Sequence, residues 1–566
     1  MLKGKGVSRG IGIGSILLID QPLLEYTKKQ VTDTKAEIKR LHDALNIFCE
    51  ETENQANALK QTSGEKEVGI LKGHIGIAKD PILLEEADKL ISSGECAEAA
   101  FESICDMFIN IFSSADDEIT QQRATDVIDV KSGVLRILLG INDIRLSDVP
   151  HGTVLCAREL TPSMLSGINK HNISAIITET GSTTSHSAIL ARVMEIPAVM
   201  SIPDIIITAK NGETAVVDGI TGDVILSPDI SQLEKYKLKC SRLIQEHKEL
   251  EKFRGNPTTS ADGIEYKLVC NIGKTEDVIK AMEHDGEGVG LFRTEFLFMD
   301  KNSAPTEEEQ FNEYKKAALM LKGKPLIIRT LDIGGDKAIP YLGLKKEENP
   351  FMGLRAIRYC LKNRELFATQ LRAILRASAF GNISIMFPMI TCVEELREGK
   401  KLINHIKEQL KKKETAFNEN IKIGIMTETA ASVIIADLLA QEADFFSIGT
   451  NDLTGYTMAA DRGNSDVSYL YSALQPSVLR MIKTIIEAGR NRNIPVGMCG
   501  EAAADPMMIP LLISFGLNEF SVSAPNVLRV RKYISEWTKQ SADEVAAKAM
   551  SFATQQEISD YLKTIV

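Results

Sequence analysis

The sequence predicts a multidomain α/β chain that ends in a (β/α)8 barrel. Three observations carry this reading. Beyond residue 261, eight short apolar runs alternate with helical stretches, at 267–272, 288–294, 325–332, 383–389, 421–428, 444–452, 495–501 and 519–523. That is the count and alternation of a closed parallel barrel, and the near-continuous apolar character fits strands covered on both faces. Between about 32 and 145 the apolar positions recur instead at three- and four-residue steps, so a helical bundle interrupts an earlier α/β unit. Between those parts, 229–254 reads as one long polar helix with a narrow apolar stripe, the pattern of a helix that bridges domains or packs against one partner helix.

Taken in order, 7–19 reads as one strand in which Gly10, Gly12 and Gly14 alternate with apolar residues. Ser15 breaks any Gly-x-Gly-x-x-Gly match, so a dinucleotide site is not expected there. Gly273-Lys274-Thr275 has the ending of a phosphate-binding loop, but Leu268 stands where its first glycine belongs. In the bundle, Thr34 with Glu37 forms a capping-box pattern, followed by Ile38, Leu41, Leu45 and Phe48 on one face. Asp80-Pro81 opens a second helix with Leu83, Ala87 and Leu90 inward. Phe101, Ile104, Cys105, Phe108 and Phe112 mark another stripe, and Val134, Ile137 and Leu138 a last one. From residue 150 short strand runs return, at 153–157, 175–179, 198–200, 214–218 and 223–227, and the first strand is expected to join them. The long helix carries Leu233, Tyr236, Cys240, Leu243, His247 and Leu250 on its stripe and ends at Gly255-Asn256-Pro257.

The chain has 566 residues, 44% of them hydrophobic and 25% charged, with net charge −11. An acidic chain lacks the basic footprint that nucleic-acid backbones require, while it suits a basic partner protein. No apolar run approaches the length of a membrane span, and no secretory leader is expected behind Met1-Leu2-Lys3-Gly4-Lys5. Nine cysteines, an odd number with no Cys-x-x-Cys pair, read as reduced cytoplasmic thiols without structural zinc.

The chemistry concentrates in two places. One is Thr180-Gly181-Ser182-Thr183-Thr184-Ser185-His186, which follows an apolar run and precedes a helical pattern. A histidine at such a helix start can accept a phosphoryl group, because unpaired backbone N–H groups and the helix dipole favour the anionic product, and neutral imidazole is a competent nucleophile. The other is the row of expected strand ends in the barrel, where such folds build active sites. Arg293, Arg329 and Arg462 suit a dianionic phosphate. Glu428 and Asp452 suit a hard divalent cation, Mg2+. Asn451 can donate to phosphate or carboxylate, and Cys499 is the candidate acid without fixed charge, able to give a proton to carbon or recover one.

These segments also carry a family resemblance. Leu160-Thr161-Pro162-Ser163, Thr184-Ser185-His186, the stretch 288–299, Asp332-Ile333-Gly334-Gly335-Asp336-Lys337, Glu348-Asn349-Pro350-Phe351, 445–454, Asp461-Arg462-Gly463 and Gly497-Met498-Cys499-Gly500-Glu501 together resemble enzyme I of the phosphoenolpyruvate-dependent sugar phosphotransferase system. The resemblance covers essentially the whole chain. It implies that His186 is phosphorylated, that Arg293, Arg329, Asn451, Asp452 and Arg462 bind phosphoenolpyruvate, that Glu428 and Asp452 hold Mg2+, and that Cys499 is the proton donor. It further implies four parts: 1–20 with 146–228 as a swivelling α/β phosphohistidine domain, 21–145 as a helical bundle docking the phosphocarrier protein HPr, 229–260 as linker helix, and 261–566 as a phosphoenolpyruvate-binding, dimerising TIM barrel. The expected product is pyruvate and the expected state a homodimer. Five positions depart from the family pattern: Ser182 and Thr183 replace a Gly and an Arg, Thr427 an aliphatic residue, Ala430 a Pro, and Gly455 a Gln. The loss of positive charge at 183 is the largest electrostatic change. Two alternatives stand beside this reading: a regulatory or divergent paralogue with another phosphocarrier acceptor, and a pyruvate dikinase relative lacking the nucleotide domain.

Overall fold

The structure, a computed structural model, describes residues 2–19, 26–59, 65–113, 118–141, 149–160, 169–181, 188, 191, 192, 194, 196–299, 301, 303–334, 339–345, 347–461 and 464–566. The chain divides into two compact units, Met1–Glu246 and His247–Val566.

In the first unit, eight strands form one sheet: β1 (Leu2–Lys3), β2 (Lys5–Ser8), β3 (Ile11–Ile19), β4 (Thr153–Ala157), β5 (Ile173–Thr178), β6 (Ala198–Met200), β7 (Thr214–Asp218) and β8 (Asp223–Leu226), in the order β1-β8-β7-β3-β4-β5-β6-β2. β3 to β6 run parallel, and β7, β8 and β1 continue antiparallel on the β3 side. The expected single strand over 7–19 is therefore two strands. The break falls at Gly10, whose φ of 130° is open to glycine and strained for other residues. The consecutive strands β1 and β2 pair with β8 and β6, so one N-terminal segment closes both sheet edges. The alternating glycines serve packing: a Cβ on Gly14 would lie 1.9 Å from the Gly152 carbonyl oxygen.

Among the described residues between β3 and β4 are the helices α1 (Thr34–Leu59), α2 (Glu65–Ala78), α3 (Pro81–Ser92), α4 (Ala97–Ser113) and α5 (Glu118–Leu139). Leu41, Leu45, Leu83, Phe101, Ile104 and Val134 share their core, as the stripes predict. Asp80 caps α3 through the Ile82 and Leu83 N–H groups. The expected Thr34–Glu37 box is not what starts α1. Asp33 accepts from the Ala36 N–H at 3.0 Å, while Glu37 reaches across to the Ala97 N–H at 2.9 Å and so caps α4 instead. A long-range donor outcompeted the local one.

The helix α6 (Ile230–Glu251) confirms the long polar pattern. Its stripe, Leu233, Tyr236, Cys240 and Leu243, packs on Ile11, Ile13, Val216 and Ile225 of the sheet rather than on a partner helix. Lys239 Nζ, 2.6 Å from the fully buried Asp218 Oδ2, pins it there.

The second unit is a closed parallel barrel of β9 (Lys267–Ile272), β10 (Val289–Arg293), β11 (Leu326–Arg329), β12 (Ile383–Phe387), β13 (Lys422–Thr427), β14 (Phe446–Ile448), β15 (Val496–Met498) and β16 (Glu519–Val522), sealed by β16 against β9. All eight expected runs become strands. Their inner faces gather Leu291, Ile327, Met386, Met426, Phe445 and Cys499, and their outer faces join the helices in one large core.

Glu519 opens β16 at the end of the barrel away from the strand termini that carry the expected site. Burial pushes its carboxyl up from 4.5 to about 7, against the pull of Lys267 and with help from Glu287. A carboxyl raised in the folded state favours the fold while protonated. That contribution is complete below 4.5 and is lost as pH rises through 7. Glu519→Gln is expected to flatten the decline of the thermal midpoint from about pH 5 to 8; an undiminished slope in the variant refutes the assignment.

Candidate functional site

The turn with His186 lies outside the described residues, as do Ser182, Thr183 and Arg462. Of its described neighbours, Thr180 N–H bonds to the Arg158 carbonyl at 2.9 Å just after β5, and Ala188 and Ala191 are buried against Leu155, Ile176 and Ala198.

In the barrel four of the candidate side chains fall at strand termini, while the run expected over 444–452 ends as a strand at Ile448. Arg293 and Arg329 are the last residues of β10 and β11, and Glu428 and Cys499 follow β13 and β15 directly. Asn451 and Asp452 sit in the first turn of the helix Thr450–Met458 after β14, where the dipole favours the Asp452 charge. Arg329, Glu428 and Asp452 come together through two residues that the strand-end reading left without a role, Asp332 and Arg355. Arg329 Nη2 donates to Glu295 Oε1 at 2.7 Å and its Nη1 lies 3.1 Å from Asp332 Oδ2. Arg355 Nη2 lies 3.1 Å from both Asp332 Oδ1 and Asp452 Oδ2, and its Nη1 donates to Tyr456 Oη at 3.1 Å. Arg355 is 4% exposed and follows a 3-10 turn, so reading strand ends could not reach it. Gly334, φ 104°, makes room for it: a Cβ there would stand 2.6 Å from Arg355 Cβ. Arg293 stays outside this ion network: it is exposed and stacks 4.8 Å from the Phe296 ring centroid.

Glu428 is buried, and its Oε1 accepts from the Met389 N–H at 2.7 Å. Met389 adopts φ 57° to present that donor, a left-handed conformation that costs a non-glycine residue about 1 kcal/mol or more. Gly449 leaves room for the other oxygen, since a Cβ there would lie 2.6 Å from Glu428 Oε2. Burial raises the Glu428 carboxyl to about 8, and Asp452 and Asp332 add to the rise against Arg329 and Arg355. Burial works against the charges on Arg329 and Arg355, but the surrounding carboxylates outweigh it and hold both guanidiniums protonated beyond their ordinary range. Among the described residues, the acids Glu295, Asp332, Glu428 and Asp452 thus surround two guanidiniums.

Of these acids, Glu428 and Asp452 could hold a divalent cation. No group of three His, Cys, Asp or Glu side chains suited to a metal occurs among the described residues. Mg2+, which is held by one or two carboxylates plus substrate oxygens, needs no such group. Arg329 Nε, Arg355 Nε and Thr450 Oγ1 are buried without a hydrogen-bond partner among the described residues, which leaves donors for incoming oxygens. Burial pushes the Cys499 thiol up to about 11, against the Ser447 hydroxyl and Arg329. It is therefore protonated at neutral pH. A cavity of about 510 Å3 opens beside Asn451 and Asp452, walled by Phe351, Tyr456 and Tyr471 and widened by Gly455.

Among the other departures from the family pattern, Thr427 is fully buried with its Oγ1 3.4 Å from the Ser447 carbonyl oxygen, and Ala430 opens a short helix capped by Thr429. No helix among the described residues is long and apolar enough to cross a membrane.

Known proteins match along the whole chain. Residues 3–123 match the N-terminal domain of PEP-utilising enzymes, 149–222 their mobile domain and 247–538 their PEP-binding domain. The phosphoenolpyruvate-protein phosphotransferase of Bacillus subtilis is 43% identical over 564 residues, covering 99% of each chain. Those of Priestia megaterium and Listeria innocua are 42% and 41% identical, covering 100% and 99% of this chain and 98% of each relative. With full-length identity at this level and the three domains matched in order, the chain belongs to the phosphoenolpyruvate-protein phosphotransferase family.

Proposed function

We propose that this protein transfers the phosphoryl group of phosphoenolpyruvate to its own His186 and from there to a histidine of the phosphocarrier protein HPr, releasing pyruvate as the first step of sugar uptake. The observation that carries this reading is the buried ion network, anchored at the end of β11 and on the helix after β14, beside a protonated thiol. The phosphoryl oxygens meet Arg293, Arg329 and Arg462, and Asn451 and Asp452 complete the substrate contacts. Mg2+ bound by Glu428 and Asp452 would spread the charge that gathers on those oxygens. An imidazole nitrogen of His186 attacks phosphorus in line; the P–N bond forms as the P–O bond to the enol breaks. The enolate left behind takes a proton on its methylene carbon from Cys499, and the product is pyruvate.

The four-part division expected from the sequence follows the same logic: 1–20 with 146–228 carries His186, 21–145 receives HPr, 229–260 links, and 261–566 binds phosphoenolpyruvate and forms the homodimer. The acidic balance of the chain suits a basic carrier, and the setting is cytoplasmic.

Labelled phosphoenolpyruvate with Mg2+ tests the reading. Acid-labile phosphate is expected on the wild-type protein and to pass to added HPr. His186→Ala is expected to remove both while phosphoenolpyruvate still binds. Transfer surviving in that variant overturns the assignment of His186.

A further inference from the structure

Cys499 has to present its proton along one line to one carbon, yet the residue after it is Gly500. Glycine is forced at 500 because a Cβ would stand 1.6 Å from Thr450 Oγ1. The peptide between Cys499 and Gly500 therefore borders the freest residue type in the chain, and an outside group has to fix its plane. On one side β14 supplies the hold: Cys499 N–H bonds to the Ile448 carbonyl at 3.1 Å, and Sγ lies 3.6 Å from the same oxygen. On the other side the hold comes from two strands away. Asn271, near the end of β9, reaches past β16, and its Nδ2 donates to the Cys499 carbonyl at 3.0 Å and to the Ser521 carbonyl at 3.1 Å. Its Oδ1 accepts from Ser521 Oγ at 2.6 Å. The amide orientation is unambiguous, because two carbonyls can only accept and must face the NH2 group. Both of its N–H donors are used. Ser521 is 1% exposed, and a Cβ on Gly290 of β10 would lie 2.5 Å from its hydroxyl oxygen. The hydroxyl is hemmed in against the amide that it orients.

We propose that Asn271, oriented by Ser521, is a positioning residue for proton transfer by Cys499: it locks the 499–500 peptide plane and thereby the direction of the thiol. This rests on the role proposed above for Cys499. Neither side chain contacts Arg329, Glu428 or Asp452 in the network described above, so the pair governs the carbon end of the reaction and not the phosphate end. A misplacement near 1 Å costs about 10²-fold in rate, which sets the scale of the effect.

The test follows exchange of the pyruvate methyl protons for deuterium by NMR, with the full-length protein and Mg2+. Phosphoenolpyruvate affinity and labelling of His186 are measured on the same samples. Asn271→Ala is expected to slow exchange about 10- to 100-fold while phosphoenolpyruvate affinity stays within about twofold. Ser521→Ala, which keeps the amide but frees it to turn, is expected to lie between that variant and wild type, and it serves if Asn271→Ala is poorly folded. Unchanged exchange in both variants, with Cys499→Ala abolishing it, overturns the proposal. A loss of phosphoenolpyruvate affinity in step with exchange also overturns it, because the pair would then be shaping the whole site. Exchange that survives in Cys499→Ala strikes the role of the thiol itself, and the proposal falls with it.

Discussion

Arg355→Met is expected to all but abolish turnover of phosphoenolpyruvate and to destabilise the barrel unit. The guanidinium lies between Asp332 and Asp452, each at 3.1 Å. An apolar side chain of similar length would leave two carboxylates facing each other beside Glu428, in surroundings where Arg355 is 4% and Asp332 3% exposed. Removing one partner of a buried ion pair costs up to about 3–5 kcal/mol, and less here, because Arg329 still lies 3.1 Å from Asp332. The remaining acids are expected to take up protons, so the variant recovers stability as pH falls. Turnover is expected to drop by about 10³-fold, the lower range for losing a positioned arginine at a phosphoryl-transfer site. Arg355→Lys is expected to restore stability in part and turnover little, since an ammonium lacks the planar fork that serves Asp332, Asp452 and Tyr456 together. Urea unfolding with a steady-state assay decides it: a Met variant within threefold of wild-type turnover sinks the idea.

Gly449→Ala is the second large effect, and it leaves the backbone alone. Gly449 has φ −88°, a value that alanine adopts without strain. What changes is one methyl group, 2.6 Å from Glu428 Oε2 and 3.0 Å from Glu428 Cβ. The carboxylate has to move, while its other oxygen is held by the Met389 N–H at 2.7 Å. Overpacking of this kind costs about 1–3 kcal/mol, too little to unfold the unit. A Glu428 displaced by about 1 Å is expected to weaken Mg2+ binding and to lower turnover about 10²-fold. Titration calorimetry with Mg2+ separates this from general damage: an unaltered affinity in the variant means that Glu428 is not a metal ligand.

Much of this was legible in the sequence. The eight barrel strands announce themselves because parallel strands buried on both faces need continuous apolar runs. That Glu428 and Cys499 directly follow strands could be read from chain position alone, because each apolar run stops just before them. Arg355 could not, since nothing local distinguishes an arginine after a 3-10 turn from a surface one; only the fold brings it against Asp332 and Asp452. Asn271 was hidden inside an apolar run, where one polar residue reads as an irregularity until its two carbonyl partners are known. The misread start of α1 has the same origin: Thr34 and Glu37 match a local cap, and the donor that Glu37 takes lies sixty residues away at Ala97. The stripe on α6 showed that the helix has one buried side and could not say whether a sheet or a helix covers it.

The engagement of Arg329 and Arg355 by acids in the barrel mouth bears on selectivity among competing solutes. Arginines alone would collect inorganic phosphate or sulfate and stay blocked by them. With Asp332 and Asp452 already engaging Arg355, and Glu295 and Asp332 engaging Arg329, a bare oxyanion has to displace an acid from either guanidinium. Inhibition by such salts is expected to be weak, and Asp332→Asn is expected to make the protein sensitive to them; equal inhibition constants for phosphate in both proteins would refute this.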